Sequence, residues 1–212
     1  MIIVCGGEKG GTGKTTLATN AAVHRALGKR DVLLLDVDRQ GSASRWAQIR
    51  IKEKRKPAIQ SMAKHGIVDE AVRDVAKRYD DIIIDSGGGE SQELRSALLV
   101  ADVFVVPIRP SLLDLWTSEN LEELVRLARG FNRKLRLMLV ISQAPTHHQV
   151  TETAEAEELL KSFASFSVAK TVLFMRKTYR DAIIEGQGVQ ETTNEKARAE
   201  FGQLAAEIFA EN

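Results

Sequence analysis

The sequence predicts a doubly wound, mostly parallel β-sheet with helices on both faces. Short β-branched apolar runs alternate with longer stretches of helical spacing. The runs are continuously apolar, as strands covered on both faces require, not polar at every second residue. Length is the third observation: 212 residues, with only four prolines, no low-complexity linker and no internal repeat, fit one domain spanning 1–212.

Taken in chain order, the β-branched run Ile2–Cys5 gives the first strand, closed by glycines, and Lys14–Leu27 carries helical spacing after it. Val32–Leu35 is the second strand and Ser42–Glu53 and Ile67–Tyr79 are helical. Asp81–Ile84 is the third strand, followed by the helical stretch Glu93–Val100. Val103–Pro107 is the fourth strand and leads through a proline turn into the helix Asp114–Arg129, which Ser111 or Asp114 can cap. Leu135–Ile141 is the fifth strand and Thr153–Phe163 a further helix. Such sheets bind ligands at the carboxyl ends of their strands, so the segments just after the strands are where chemistry is expected.

Composition excludes several classes. Thirty Lys+Arg against 29 Asp+Glu leave a net charge of +1, which rules out a constitutively polybasic protein. The lone Cys5 rules out a disulfide framework, a four-cysteine metal site and an iron–sulfur cluster built within one chain. No apolar run approaches the roughly 18–20 residues of a membrane span, and the opening MIIVCGGEKGG is not a signal peptide, so a cytoplasmic location is expected.

The first strand runs into Gly6-Gly7-Glu8-Lys9-Gly10-Gly11-Thr12-Gly13-Lys14-Thr15-Thr16 and then a helix. This fits G-x-x-x-x-G-K-[ST] except that Glu8 stands at the first glycine. Glycines let successive backbone N–H groups turn inward around phosphate oxygens, and the helix start adds its positive dipole end. Residues Gly10, Gly11, Thr12, Gly13, Lys14, Thr15 and Thr16 are therefore candidates for nucleotide binding, with Lys14 on the β and γ phosphates and the Thr15 hydroxyl on Mg²⁺. Two further strand ends carry acids. Asp36 and Asp38 alternate by two at the end of the second strand and so project to the same side. Asp85 closes the buried run Asp81-Ile82-Ile83-Ile84 and is followed by Ser86-Gly87-Gly88-Gly89, which reads as a Walker B carboxylate for Mg²⁺.

The stretch Lys9-Gly10-Gly11-Thr12-Gly13-Lys14-Thr15-Thr16 resembles the deviant Walker A loop of the ParA/MinD family of P-loop ATPases. The resemblance extends over nearly the whole chain and implies ATP/ADP and Mg²⁺ as cofactors and a homodimer that forms on ATP binding. It makes Lys9 the signature lysine that reaches a partner's phosphates. Asp36-Val37-Asp38-Arg39-Gln40 is similar to the family's D-x-D-P-Q, with Arg39 in place of proline. There the second acid, here Asp38, positions the attacking water, and the first, here Asp36, supports Mg²⁺ and the loop. Pro107-Ile108-Arg109-Pro110-Ser111-Leu112-Leu113-Asp114 resembles a segment that lies across the dimer interface. Gln143, after the fifth strand, and Arg176, in Phe174–Ala182, resemble residues placed near the base.

What the resemblance implies for function is a DNA partition ATPase of the short ParA type, with no N-terminal helix-turn-helix. ATP would assemble a dimer on non-specific nucleoid DNA, and a ParB-like centromere-binding adaptor would stimulate an otherwise slow hydrolysis. Candidate DNA-binding residues lie in Arg45–Lys56, with six bases against one acid, in Arg129–Arg136, and at Arg176, Lys177 and Arg180. The alternatives are a ParA-like positioning ATPase for non-DNA cargo and a metabolic P-loop enzyme of the dethiobiotin-synthetase type. The end of the chain, Phe201–Asn212, is amphipathic but acidic, which speaks against docking on anionic membrane and for packing on the core.

Overall fold

The structure is a computed structural model that describes residues 1–110, 119–146, 150–161 and 163–210. Its strands are β1 (Ile2–Gly7), β2 (Val32–Asp36), β3 (Gln60–Ala63), β4 (Asp81–Gly88), β5 (Val103–Ile108), β6 (Arg136–Ile141) and β7 (Ser167–Val168). They form one sheet in the order β3-β2-β4-β1-β5-β6-β7, and every pairing is parallel. The helices among the described residues are α1 (Lys14–Leu27), α2 (Ser42–Lys52), α3 (Asp69–Val75), α4 (Gln92–Leu98), α5 (Glu119–Phe131), α6 (Val150–Leu160), α7 (Lys177–Ile184) and α8 (Glu195–Ile208), with a 3₁₀ turn at Val189–Glu191.

Alternation along the strands sends successive side chains into two separate cores. Ile3, Leu34, Ile83 and Val105 point to the face covered by α1, α2, α7 and α8. Val4, Leu33, Ile82 and Phe104 point to the face covered by α3 to α6. The central strands are buried along their length and needed no alternation in the sequence to be recognised. The two edge strands were not expected. β3 is four exposed residues, Gln-Ser-Met-Ala, and β7 is two, so neither carries an apolar run. Helix α7 was also not expected, and α3 is shorter than Ile67–Tyr79. The helical start expected at Asp114 and the segment Ser111–Asp114 lie outside the described residues.

The end of the chain packs on the sheet as expected. Phe201, Leu204, Ala205 and Ile208 of α8 are buried against the first core. Arg136 donates to the carbonyls of Ala210 and Glu207, tying the end of α8 to β6. No described helix is long and apolar enough to cross a membrane.

Register places the site. Cys5 of β1 lies beside Asp85 of β4, and Asp85 beside Asp36 of β2. The loop after β1 therefore sits at the middle of the carboxyl edge with both acidic strand ends on one flank.

Candidate functional site

The loop from Glu8 to Gly13 connects β1 to α1, and the helix opens at Gly13 in the left-handed region, φ 107°. Glycine is required there twice over: the dihedral disfavours other residues, and a Cβ would lie 3.0 Å from the Ser142 hydroxyl. Gly10, Gly11, Gly13, Lys14, Thr15 and Thr16 line a cleft of about 620 Å³. Thr12 is buried behind it, its hydroxyl directed at the Lys9 carbonyl.

The Lys14 ammonium donates to the Lys9 carbonyl at 2.5 Å, so the lysine folds back over its own loop. Burial lowers its pKa, while the carboxylates of Asp85 and Asp38 pull in the opposite direction. The Thr15 hydroxyl donates to Asp85 Oδ2 at 2.8 Å. Asp85 is fully buried, and its other oxygen, Oδ1, has no hydrogen-bond partner. Burial pushes its carboxyl up to about 8, and the neighbouring Asp36 and Asp38 add to the rise against the Thr15 hydroxyl and Lys14. An orphaned, fully desolvated carboxylate oxygen is costly unless something cationic or protic meets it.

Asp36 and Asp38, paired in the sequence, differ in surroundings. Asp36 is buried; its Oδ1 accepts from the Asp38 amide at 3.1 Å, and its Oδ2 from the Ser44 amide and hydroxyl, each at 2.7 Å. These three bonds tie Asp36 to the β2–α2 turn. Asp38 lines the cleft instead, with Oδ1 accepting from the Gln40 amide at 2.9 Å. Gly87 and Gly88 after β4 complete this wall: a Cβ on Gly88 would lie 3.0 Å from the Glu8 carbonyl, so the glycine run packs directly on the phosphate loop.

A second cavity of about 630 Å³ adjoins the first and shares Gly13, Thr16 and Gln143 with it. Leu173, Phe174, Met175, Tyr179 and Ile183 give it largely apolar walls. Gln143 stands between the two in the left-handed region, φ 58°, and its amide donates to the Gly11 carbonyl at 2.7 Å. The structure thus places Gln143 as a strut on the phosphate loop as well as a wall of the apolar cavity. Arg176 also lines that cavity, but its guanidinium is held by a bidentate ion pair with Glu200 and lies 5.4 Å from the Phe174 ring centre. It shapes the wall without offering an unneutralised charge. Sequence reasoning missed α7 as the far wall; the apolar pair Tyr179 and Ile183 at i, i+4 was the available signal.

The expected DNA-binding runs are thinned by the fold. Arg50 is buried, paired with Glu191 at 2.8 Å, and donates to the carbonyls of Pro57 and Gly186. Arg136 is committed to α8 and Arg176 to Glu200. Arg45, Lys52, Lys54, Lys56, Arg133, Lys134, Lys177 and Arg180 remain exposed. Among the described residues no group of three or more His, Cys, Asp or Glu is arranged to hold a metal ion.

Residues 2–189 match a family model described as the CobQ/CobB/MinD/ParA nucleotide binding domain. The chain is 28% identical over 206 residues to maintenance of carboxysome distribution protein A of Halothiobacillus neapolitanus, covering 95% of this chain and 93% of that protein. It is 29% identical over 170 residues to the chromosome-partitioning ATPase Soj of Thermus thermophilus, covering 66% and 67%. A Cyanothece McdA structure in complex with ATP superposes with a TM-score of 0.79 at 16% identity, covering 100% of this chain and 98% of that one, a likeness of fold.

Proposed function

The chain belongs to the CobQ/CobB/MinD/ParA nucleotide-binding family, and from that membership we propose that it is an ATP-hydrolysing positioning protein, working as a dimer assembled by ATP. The observation that carries the nucleotide half is the Thr15–Asp85 pair behind a glycine loop, with one buried carboxylate oxygen left without a partner. Mg²⁺ usually takes only one or two protein groups, the rest of its shell being phosphate oxygens and water. Thr15 through its hydroxyl and Asp85 through its carboxylate would hold it, and when bound it neutralises charge on the terminal phosphates. Asp36 is left as the anchor of the turn.

The chain's own residues do the remaining work. Backbone N–H groups from Gly10 to Thr15 cradle the phosphates, and the Lys14 ammonium exchanges the Lys9 carbonyl for them. Asp38, fixed at the cleft wall by the Gln40 amide, orients the attacking water. Lys9 of a second copy stabilises the charge that develops. The base occupies the apolar cavity between Gln143 and α7. Completing the site needs a second copy, so hydrolysis is slow until an adaptor protein favours the assembled state.

The cargo class with the broadest support is a large protein assembly, because the match to a carboxysome-distribution protein spans 95% of this chain. DNA partition with a ParB-like adaptor is the second reading, favoured by the match to Soj. In both, exposed bases such as Lys177 and Arg180 give the ATP dimer a salt-sensitive hold on nucleoid DNA. The test is Asp38→Ala with saturating ATP, followed by light scattering and DNA shift. The expected result is a trapped dimer that binds DNA with ATP and not with ADP; a monomer under those conditions contradicts the proposal. Deletion in the native host then separates the cargoes: clustered protein assemblies support the first reading, plasmid or chromosome loss the second.

A further inference from the structure

Arg39 stands where the resembling family has proline, and the turn it occupies does not need it. The turn is closed by Gln40 donating to Asp38 Oδ1 and by the Gly41 amide donating to the Asp38 carbonyl at 3.0 Å. The Arg39 side chain is 83% exposed, yet it lines the same cleft as Gly10, Lys14 and Thr15. Its one ion-pair partner among the described residues is Glu93, at 3.9 Å. A pair this long, with one side chain in water, holds the arginine weakly.

Glu93 is the fixed half. Its side chain is 8% exposed, it accepts from the Gly66 amide at 2.9 Å, and that N–H leads the contacts that keep its carboxyl below the usual range. It also lines the phosphate cleft. A buried carboxylate beside the place where a polyphosphate sits repels it unless a cation stands between them. A guanidinium is the group suited to that position, because its planar fork matches phosphate oxygens better than a single carboxylate held at long range.

We infer that Arg39 is a second cationic ligand for the terminal phosphate of a nucleoside triphosphate, parked on Glu93 until the cleft is filled. The inference rests on the nucleotide reading and deepens it: Arg39 makes the site distinguish triphosphate from diphosphate. Filling the cleft swings the guanidinium off Glu93 and onto the phosphate, and loss of that phosphate returns it. The β2–α2 turn and the first turn of α4 are thereby uncoupled and recoupled with each nucleotide exchange.

The experiment is calorimetric titration of the full chain with AMPPNP and with ADP, both with Mg²⁺, for the wild type, Arg39→Gln, Glu93→Gln and the double variant. Glutamine at 93 keeps an acceptor for the Gly66 amide, and thermal melting checks that each protein folds. Losing a charge-assisted bond to phosphate is expected to weaken AMPPNP about 10-fold or more in Arg39→Gln while ADP stays within about 2-fold. Glu93→Gln is expected to tighten AMPPNP by about 2- to 5-fold, because the competing carboxylate is gone, and that gain is expected to vanish in the double variant. Equal weakening of both nucleotides, no weakening of either, or a Glu93→Gln gain that survives without Arg39 overturns the inference. A wild type that binds neither nucleotide overturns the nucleotide reading itself, a result distinct from wild-type binding with an unchanged AMPPNP-to-ADP ratio in Arg39→Gln.

Discussion

Gly87 touches the proposed water-positioning carboxylate without belonging to the phosphate loop, so Gly87→Ala isolates the role of Asp38. A Cβ built on Gly87 would lie 3.1 Å from Asp38 Oδ1 and 3.2 Å from its Cγ. Contacts that short need the carboxylate to retreat by a few tenths of an ångström. The oxygen concerned is the one that accepts from the Gln40 amide, so retreat also disturbs what aims it. A misplacement of about 1 Å can cost about 100-fold in rate, so a shift of this size is expected to lower kcat about 10-fold, or about 1.4 kcal/mol of barrier. Stability should barely move. The backbone at Gly87 is not in the left-handed region, and alanine stabilises by about 0.4–1 kcal/mol through the unfolded chain, offsetting the mild contact. The assay is ATP turnover with the dimer saturated, beside nucleotide affinity and thermal melting. Wild-type kcat in a folded Gly87→Ala protein refutes the placement of Asp38 in hydrolysis. Equal loss of affinity and rate refutes it too, since it would mean that the cleft as a whole had been deformed.

Two further outcomes follow from the fold. Glu191→Gln or Glu191→Ala leaves the Arg50 guanidinium buried without its carboxylate and should destabilise by about 3–5 kcal/mol in chemical denaturation, whereas exposed pairs such as Lys77–Asp74 should contribute within about 1 kcal/mol. Asp81 gives the acid limb of the stability curve. Burial would raise its pKa, but the Arg25 guanidinium, donating at 2.7 and 3.2 Å, overrides that and holds it below the usual carboxylate range. A depressed folded-state pKa contributes stability that is present above the unfolded value of about 3.9 and is lost as pH falls through the folded one. Asp81→Asn should therefore be less stable at neutral pH and flatter below about pH 4 in thermal melts, and an unchanged acid limb contradicts the assignment.

The strand–loop–helix core of the site was legible because residue type dictates it. Only a glycine-rich turn ending in Lys14-Thr15 lets backbone N–H groups converge at a helix start, and an apolar run closed by Asp85 can only be a buried strand with its acid at the edge. Legibility failed where the third dimension decides. Asp36 and Asp38 share a spacing, yet three donors hold the first in the turn while the second faces the cleft. Counting charges along Arg45–Lys56 could not reveal that Arg50 is a core residue paired with Glu191, 141 positions away. Gln143 follows β6 and Arg176 lines the apolar cavity, but no sequence pattern shows that their hydrogen bonds run to Gly11 and Glu200. Edge strands β3 and β7 escaped because their side chains bury too little to leave an apolar run.

The central claim is that the loop ending in Lys14 holds the phosphates of ATP, and Lys14→Ala tests it most directly. Lys14 is nearly buried in the cleft and its ammonium already sits 2.5 Å from the loop carbonyl that phosphate would displace. Charged hydrogen bonds contribute about 1.5–3 kcal/mol each, so removing an ammonium that meets two phosphates should weaken ATP by about 100-fold or more. Calorimetric titration of wild type and Lys14→Ala, each shown to be folded by circular dichroism, reads this out. Loss of ATP binding in the variant is the predicted result; the same affinity in both proteins would contradict the account.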